Sequence, residues 1–135
     1  MILSFGTVNI KVDKFESYEA LADPHILVLY NGLMFIGGDS FAIAFDYNEH
    51  QINTLMPLPS DFVDFIYIQE RRSVIIVHKK GVIVKDNECK ELWRHSAGLI
   101  SGYSIEGDLF IMEREDGEEI ALKLKNGREV ELADR

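Results

Sequence analysis

The side chains of this sequence that could do chemistry are four histidines, one cysteine, scattered serines and a dense run of carboxylates. Histidine titrates near neutral pH and ligates metals, and a metal site read from sequence needs a second ligand at short, fixed spacing. His25, His50, His78 and His95 are at least 17 residues apart, and none has a neighbour at ligand spacing. His25 opens an apolar run and the other three flank turns. No Gly-x-Ser-x-Gly elbow presents a serine nucleophile, and neither a phosphate loop nor a dinucleotide fingerprint occurs. The expectation is a protein with no catalytic residue, no metal and no cofactor. Cys89 is the single cysteine and can form no disulfide within the chain, which fits a reducing compartment. It reads as a turn-flanking thiol rather than a nucleophile.

The carboxylates are concentrated in EREDGEE, residues 113–119, where Glu113, Glu115, Asp116, Glu118 and Glu119 surround one hairpin turn. A calcium loop needs acids at alternate positions along a longer loop, a pattern this run lacks. It is either a solvated turn or, together with Asp39, Asp46, Asp61 and Asp64 on the turns of an earlier segment, an acidic face that binds a protein. The formal charge of −9 disfavours nucleic acid and anionic membranes, whose recognition needs clustered Lys and Arg. The charge is also uneven: a basic middle, residues 71–96, lies between acidic flanks. A basic protein is the partner such flanks would steer.

These residues must be positioned by strands. Taking Asn87 as a centre and stepping 39 residues each way reaches Asn48 and Asn126, and each of the three follows an apolar run. The same step carries MPLPS, with Pro57 and Pro59, onto HSAGL. Three units result, at about residues 25–58, 62–96 and 99–132, and each divides into four short strands. Asn31-Gly32, Asn126-Gly127 and Asp116-Gly117 supply the positive φ angles of tight hairpins. From the second strand to the repeat Asn the spacing is 15 (Leu33 to Asn48), 13 (Val74 to Asn87) and 17 (Leu109 to Asn126). These differ by twos, and only an even insertion keeps a strand's buried side chains buried. In the middle unit SVIIV and GVIV are unbroken apolar runs, as expected of strands covered on both faces. In the third unit Ile120, Leu122 and Leu124 alternate with Ala121, Lys123 and Lys125, which predicts one face toward water or a partner. Trp93 is either a core residue near the end of its unit or a binding anchor.

Four-stranded units of about forty residues packed face to face are how β-propellers are built. GVIVKDNECKELWRH and EEIALKLKNGREVEL resemble the strand-turn-strand of quinoprotein-type propeller blades. The resemblance implies an all-β antiparallel meander of three propeller-like units in a single domain, and a binding scaffold rather than a particular reaction. Three units are too few to close a ring, so an open arc, a compact sheet or a homodimer that completes the ring is expected. The N-terminal strand TVNIKV would add to an edge.

One segment departs from the β pattern. In DKFESYEALADP, Asp13 and Glu16 have capping-box spacing, Phe15, Tyr18 and Leu21 recur every three residues, and Asp23-Pro24 ends the run. This predicts one short N-terminal helix. MILSFGTVNIKV has neither a basic leader nor a long apolar run, so a cytoplasmic protein is expected. In general character, a small, acidic, β-rich chain without catalytic groups is similar to the immunity proteins that neutralise basic bacterial toxins by stoichiometric binding. The alternative is an assembly module that self-associates through open blade edges.

Overall fold

The computed structural model describes residues 2–5, 8–13, 17–20, 25–29 and 31–131. The fold is all-β, and its only helical element among the described residues is a 3₁₀ turn at Gln69–Arg71. An N-terminal sheet holds β1 (Ile2–Phe5), β2 (Val8–Asp13) and β3 (Ser17–Ala20) in that order. The first four-stranded sheet holds β4 (His25–Val28), β5 (Leu33–Gly38), β6 (Phe41–Asp46) and β7 (Gln51–Pro57). The middle sheet holds β8 (Phe62–Ile68), β9 (Ser73–His78), β10 (Gly81–Asp86) and β11 (Glu91–Ser96). The third holds β12 (Ile100–Glu106), β13 (Leu109–Arg114), β14 (Glu119–Lys123) and β15 (Glu129–Val130). All pairs are antiparallel and sequential, so each sheet is a meander; the three four-stranded sheets span 25–57, 62–96 and 100–130, and β1–β3 form a further sheet outside the repeat.

The expected helix over residues 13–24 includes positions, Phe15 among them, that lie outside the described residues, and its described part is extended. Ser17–Ala20 pairs with β2 from Asp13↔Ser17 to Ile10↔Ala20. So short a helix is marginal in water, whereas a ladder to an existing strand supplies backbone partners directly. TVNIKV likewise adds to no edge: β2 is the centre of a separate sheet.

The three four-stranded sheets pack face to face in chain order. Leu33, Phe35, Ala42, Ala44 and Met56 of the first sheet meet Val74, Ile76 and Ile83 of the middle one. Phe65 joins them, with its ring 5.9 Å from that of Phe35 and 4.6 Å from that of Phe62. From the other face of the middle sheet, Ile75, Val77, Val82, Val84 and Trp93 meet Phe110, Met112, Leu122 and Leu124. Both faces of β9 and β10 are therefore apolar and buried, as their unbroken apolar runs require. In β14 the expected alternation holds for Leu122, which is buried, and Lys123, which is exposed. Ala121 departs from it: this residue is 1% exposed and shares the far face with Ile111 at 4%. The register Ile111↔Ala121↔Val130 forms an apolar cross-strand row there.

Bulges repeat with the strands. Val63 and Ser101 are the extra residues where the first strand of a sheet meets the second, and Asn53 and Leu92 are the extra residues of the fourth strands. A bulge re-aims the side chains beside it, and at β8 this matters for Asp64.

Candidate functional site, an acidic end of the sheets

In an antiparallel meander, alternate connections lie at opposite ends. The links after the second and fourth strands share one end: 39–40, 58–61, 79–80, 97–99 and 115–118. Backbone hydrogen bonds tie them into a belt. Phe62 N–H donates to the Asp39 carbonyl at 2.6 Å, Leu58 to Ser40 at 2.9 Å and Lys79 to Asp61 at 2.9 Å. The next joint repeats the pattern, with Ile100 donating to Lys79 at 2.9 Å, Ala97 to Lys80 at 2.8 Å and Glu115 to Leu99 at 3.0 Å. Asp39 and Lys79 thus hold equivalent positions, as do Asp61 and Leu99.

This end gathers Asp39, Asp61, Asp64, Glu113, Glu115, Asp116, Glu118 and Glu119. Asp46 lies at the opposite end and is not part of the face; its Oδ1 accepts the Glu49 N–H at 3.0 Å and caps the β6–β7 turn. Parity of the connections could have separated it, since it precedes a third-strand turn. Among the described residues the bases at the acidic end include Lys79, Lys80 and Arg114. Lys79 Nζ lies 3.7 Å from Asp61, and Arg114 reaches Asp116 at 3.0 Å and Glu118 at 3.6 Å. Such exposed pairs are each worth about 0 to 1 kcal/mol and leave a carboxylate excess. Glu113 and Glu119 stand opposite each other across the β13–β14 ladder. In the midst of the belt stands Leu99, 49% exposed, an apolar contact that sequence reasoning missed. Beside the edge, a groove of about 360 Å³ is lined by Glu118, Glu119, Glu129 and Glu131 with Ile120, Ala121 and Val130.

Asp64 is half-buried. The bulge at Val63 turns it across the joint, where its Oδ2 accepts the Tyr103 O–H at 2.7 Å. Its Oδ1 accepts the Phe65 N–H at 2.9 Å. Burial, followed by the bond to Asp64, pushes the Tyr103 hydroxyl up to about 12. Tyr103→Phe should cost about 1 to 3 kcal/mol in urea unfolding at pH 7, because the carboxylate loses its half-buried donor. A cost near zero would show that Asp64 is satisfied by water.

Ser60 and His78 also meet. Ser60 O–H donates to His78 Nδ1 at 2.7 Å, and the Lys80 N–H is shared between Ser60 Oγ at 2.9 Å and Nδ1 at 3.2 Å. Accepting both bonds assigns the proton of the neutral ring to Nε2. His78 is 1% exposed, and burial, followed by the charge of Arg94, holds its pKa below the usual histidine value. A serine nucleophile needs its histidine oriented by a carboxylate. Here the nearby charge is a guanidinium and the serine oxygen already holds a backbone N–H, so the contact fits a fastening between the β7–β8 link and the β9–β10 turn. The 18-residue separation gave no local signal of it.

Cys89 is buried at φ +71, with its thiol 3.8 Å from the Met56 sulfur. Burial pushes that thiol up, which suits a structural residue. Trp93 is 9% exposed and donates its Nε1–H to the Leu124 carbonyl at 3.0 Å, as a core residue does. Among the described residues no group of three His, Cys, Asp or Glu could hold a metal ion, and no helix is long and apolar enough to cross a membrane.

No protein-family model and no curated protein matches this sequence. Solved structures do share its fold. The chain is similar to the hydrazine synthase of Kuenenia stuttgartiensis, with 13% identity, a TM-score of 0.57, and coverage of 78% of this chain and 34% of that one. It is similar to the computationally designed Ika4 protein, with 14% identity, a TM-score of 0.60, and coverage of 82% and 72%. With the computationally designed Ika8 protein the identity is 12%, the TM-score 0.62 and the coverage 96% and 47%. The chain thus spans about a third of the hydrazine synthase chain and about half of the Ika8 chain, and at these identities the likeness is one of fold.

Proposed function

We propose that this chain is a non-catalytic binding protein whose acidic end docks a basic protein, and that it neutralises a basic bacterial toxin by stoichiometric binding in the cytoplasm. The observation that carries this reading is the gathering of Asp39, Asp61, Asp64, Glu113, Glu115, Asp116, Glu118 and Glu119 at one end of the sheets around the exposed Leu99. The repeated sheets then serve as propeller-type blades, a rigid scaffold for one end. Charge of one sign steers encounter, while a desolvated apolar contact sets the lifetime of the complex.

The test is a pull-down from the native cell followed by binding kinetics with the captured protein. Neutralising Asp61, Asp116 and Glu118 to the amides should slow association about tenfold or more at low salt, with little change in dissociation. Leu99→Ala should do the reverse. Capture of a basic protein whose association ignores both salt and these substitutions would sink the reading.

A further inference from the structure

The sequence holds two Asn-Gly pairs, Asn31-Gly32 and Asn126-Gly127, and both sit in turns between paired strands. Glycine after asparagine leaves no Cβ between the side-chain amide and the next backbone nitrogen. That nitrogen can therefore attack the amide carbon, a reaction the chain carries out on itself with water as the only co-reactant.

Both turns fold the amide onto the glycine. Asn126 Oδ1 accepts the Arg128 N–H at 2.9 Å, and Asn31 Oδ1 accepts the Leu33 N–H at 3.2 Å. A bond from Oδ1 to the N–H two residues on lays Cγ over the intervening glycine peptide. The same N–H draws electrons from Cγ and faces the oxygen on which charge develops during attack, as an oxyanion-hole donor does. The glycine nitrogens are held alike, Gly127 N–H by the Lys123 carbonyl at 2.8 Å and Gly32 N–H by the Leu29 carbonyl at 3.1 Å. The turns differ at the leaving group. Asn31 Nδ2 donates to the Asn87 carbonyl at 2.8 Å, a tie between the first and middle sheets. Among the described residues nothing accepts from Asn126 Nδ2. They differ in anchorage as well: β14 and β15 share two register pairs, whereas β4 and β5 share four. The shorter ladder opens more readily, and opening releases the Gly127 nitrogen from Lys123. Asp116-Gly117 has the same side-chain bond, from Glu118 N–H at 3.0 Å, but its carboxylate is a poor electrophile.

From this difference we infer that Asn126-Gly127 is a self-modification site, at which the folded chain converts asparagine to aspartate and isoaspartate. Hydroxide takes the Gly127 N–H proton, and the nitrogen forms a bond to Asn126 Cγ. The tetrahedral centre collapses by breaking the bond to Nδ2, which takes protons from water and leaves as ammonia. Hydroxide is regenerated and a five-membered succinimide remains. Water then adds to either ring carbonyl and opens the ring, so that an amide and a water have become a carboxylate and ammonia with no change of oxidation state. One opening leaves aspartate. The other leaves isoaspartate, in which the main chain runs through Cβ and Cγ and is longer by one carbon. Either product places a negative charge between Lys125 and Arg128, and the isoaspartyl link lengthens a turn whose Gly127 packs against the Trp93 ring. This inference is independent of the acidic end.

Peptide mapping of the full chain during storage at mildly alkaline pH tests it, with the same chain unfolded in urea beside it. In urea the two Asn-Gly pairs should convert at similar rates, since the reacting dipeptide is the same. In the folded chain position 126 should convert about fivefold or more faster than position 31. The conversion should give two separable products that share the mass change of NH replaced by O. On isoelectric focusing an acidic isoform should accumulate, Asn126→Gln should remove most of it, and Asn31→Gln should leave it. Equal rates at the two positions in the folded chain, the result of conversion through global unfolding, would overturn the inference. So would an asparagine that persists at position 126 while the urea sample converts. Should either variant fail to fold, the comparison of positions 31 and 126 in the wild-type chain decides alone.

Discussion

Gly127→Val should lower the melting temperature by roughly 10 °C or more and move the chain's single tryptophan toward water. Two effects coincide at this residue. Its φ is +75, in the left-handed region where a β-branched side chain is strained by about 1 to 3 kcal/mol. A Cβ built there would also overlap Cδ2 and Cε3 of Trp93, whose Nε1–H is held by the Leu124 carbonyl of the same turn. The indole cannot retreat without giving up its place among Val84, Phe110, Met112 and Leu122, and overpacking of this kind costs about a further 1 to 3 kcal/mol. Gly117→Ala is the control. Its φ is +89 but nothing lies within 4 Å of an added Cβ, so only the backbone strain remains, about 1 kcal/mol. Equal losses in the two variants, with tryptophan emission unmoved, would show that Gly127 matters only through its φ and that the third sheet does not depend on the indole.

That comparison also marks what could be read in advance. Asn126-Gly127 announced a hairpin with positive φ because the backbone requirement is local to the dipeptide. The contact of Gly127 with Trp93 depends on how two sheets pack, and no spacing in the sequence encodes it. Unit boundaries were legible for the same local reason: apolar runs, turn residues and insertions of even length recur together, and the strand ladders leave them little freedom. The bulges at Val63, Leu92 and Ser101 were not legible, since an extra residue in one strand is defined only against its partner. The N-terminal segment was misread because helical spacing at Phe15, Tyr18 and Leu21 competes with strand pairing, and the ladder between β2 and β3 decides it at Ser17–Ala20.

The candidate face was partly legible. Acid content located the turns, but whether two turns share an end depends on the count of strands between them. Counting places Asp39, Asp61 and Glu115 together and sends Asp46 to the far end. Leu99 gave no signal because one apolar residue in a link is unremarked until its exposure is known. Ser60 and His78 become neighbours only through the register Phe62↔His78 and the fold of the link before it.

Stability should fall as the pH drops below about 6.5, and His78 should account for a separable part of the loss. In the folded chain Nδ1 accepts from Ser60 and from Lys80 N–H, bonds that only the neutral ring can make. Burial, with the positive charge of Arg94 added, keeps the folded pKa below the unfolded value of about 6.5. As the pH falls through 6.5 the unfolded chain takes up a proton that the folded chain refuses, so unfolding is favoured. The contribution is therefore fully present above about 6.5, declines below it, and is exhausted once the pH passes under the folded pKa. His78→Gln keeps an acceptor for the Lys80 N–H but does not titrate. It should be less stable than the parent at pH 7.5 by about 1 to 3 kcal/mol, since the Ser60–imidazole fit is lost. Between pH 7.5 and 5.5 its urea midpoint should change less than that of the parent, and the difference isolates His78 from His25, His50 and His95, which both proteins retain. Parallel pH profiles would mean that His78 is protonated equally in the folded and unfolded chains, and the fastening between the β7–β8 link and the β9–β10 turn would then have to hold with a charged ring.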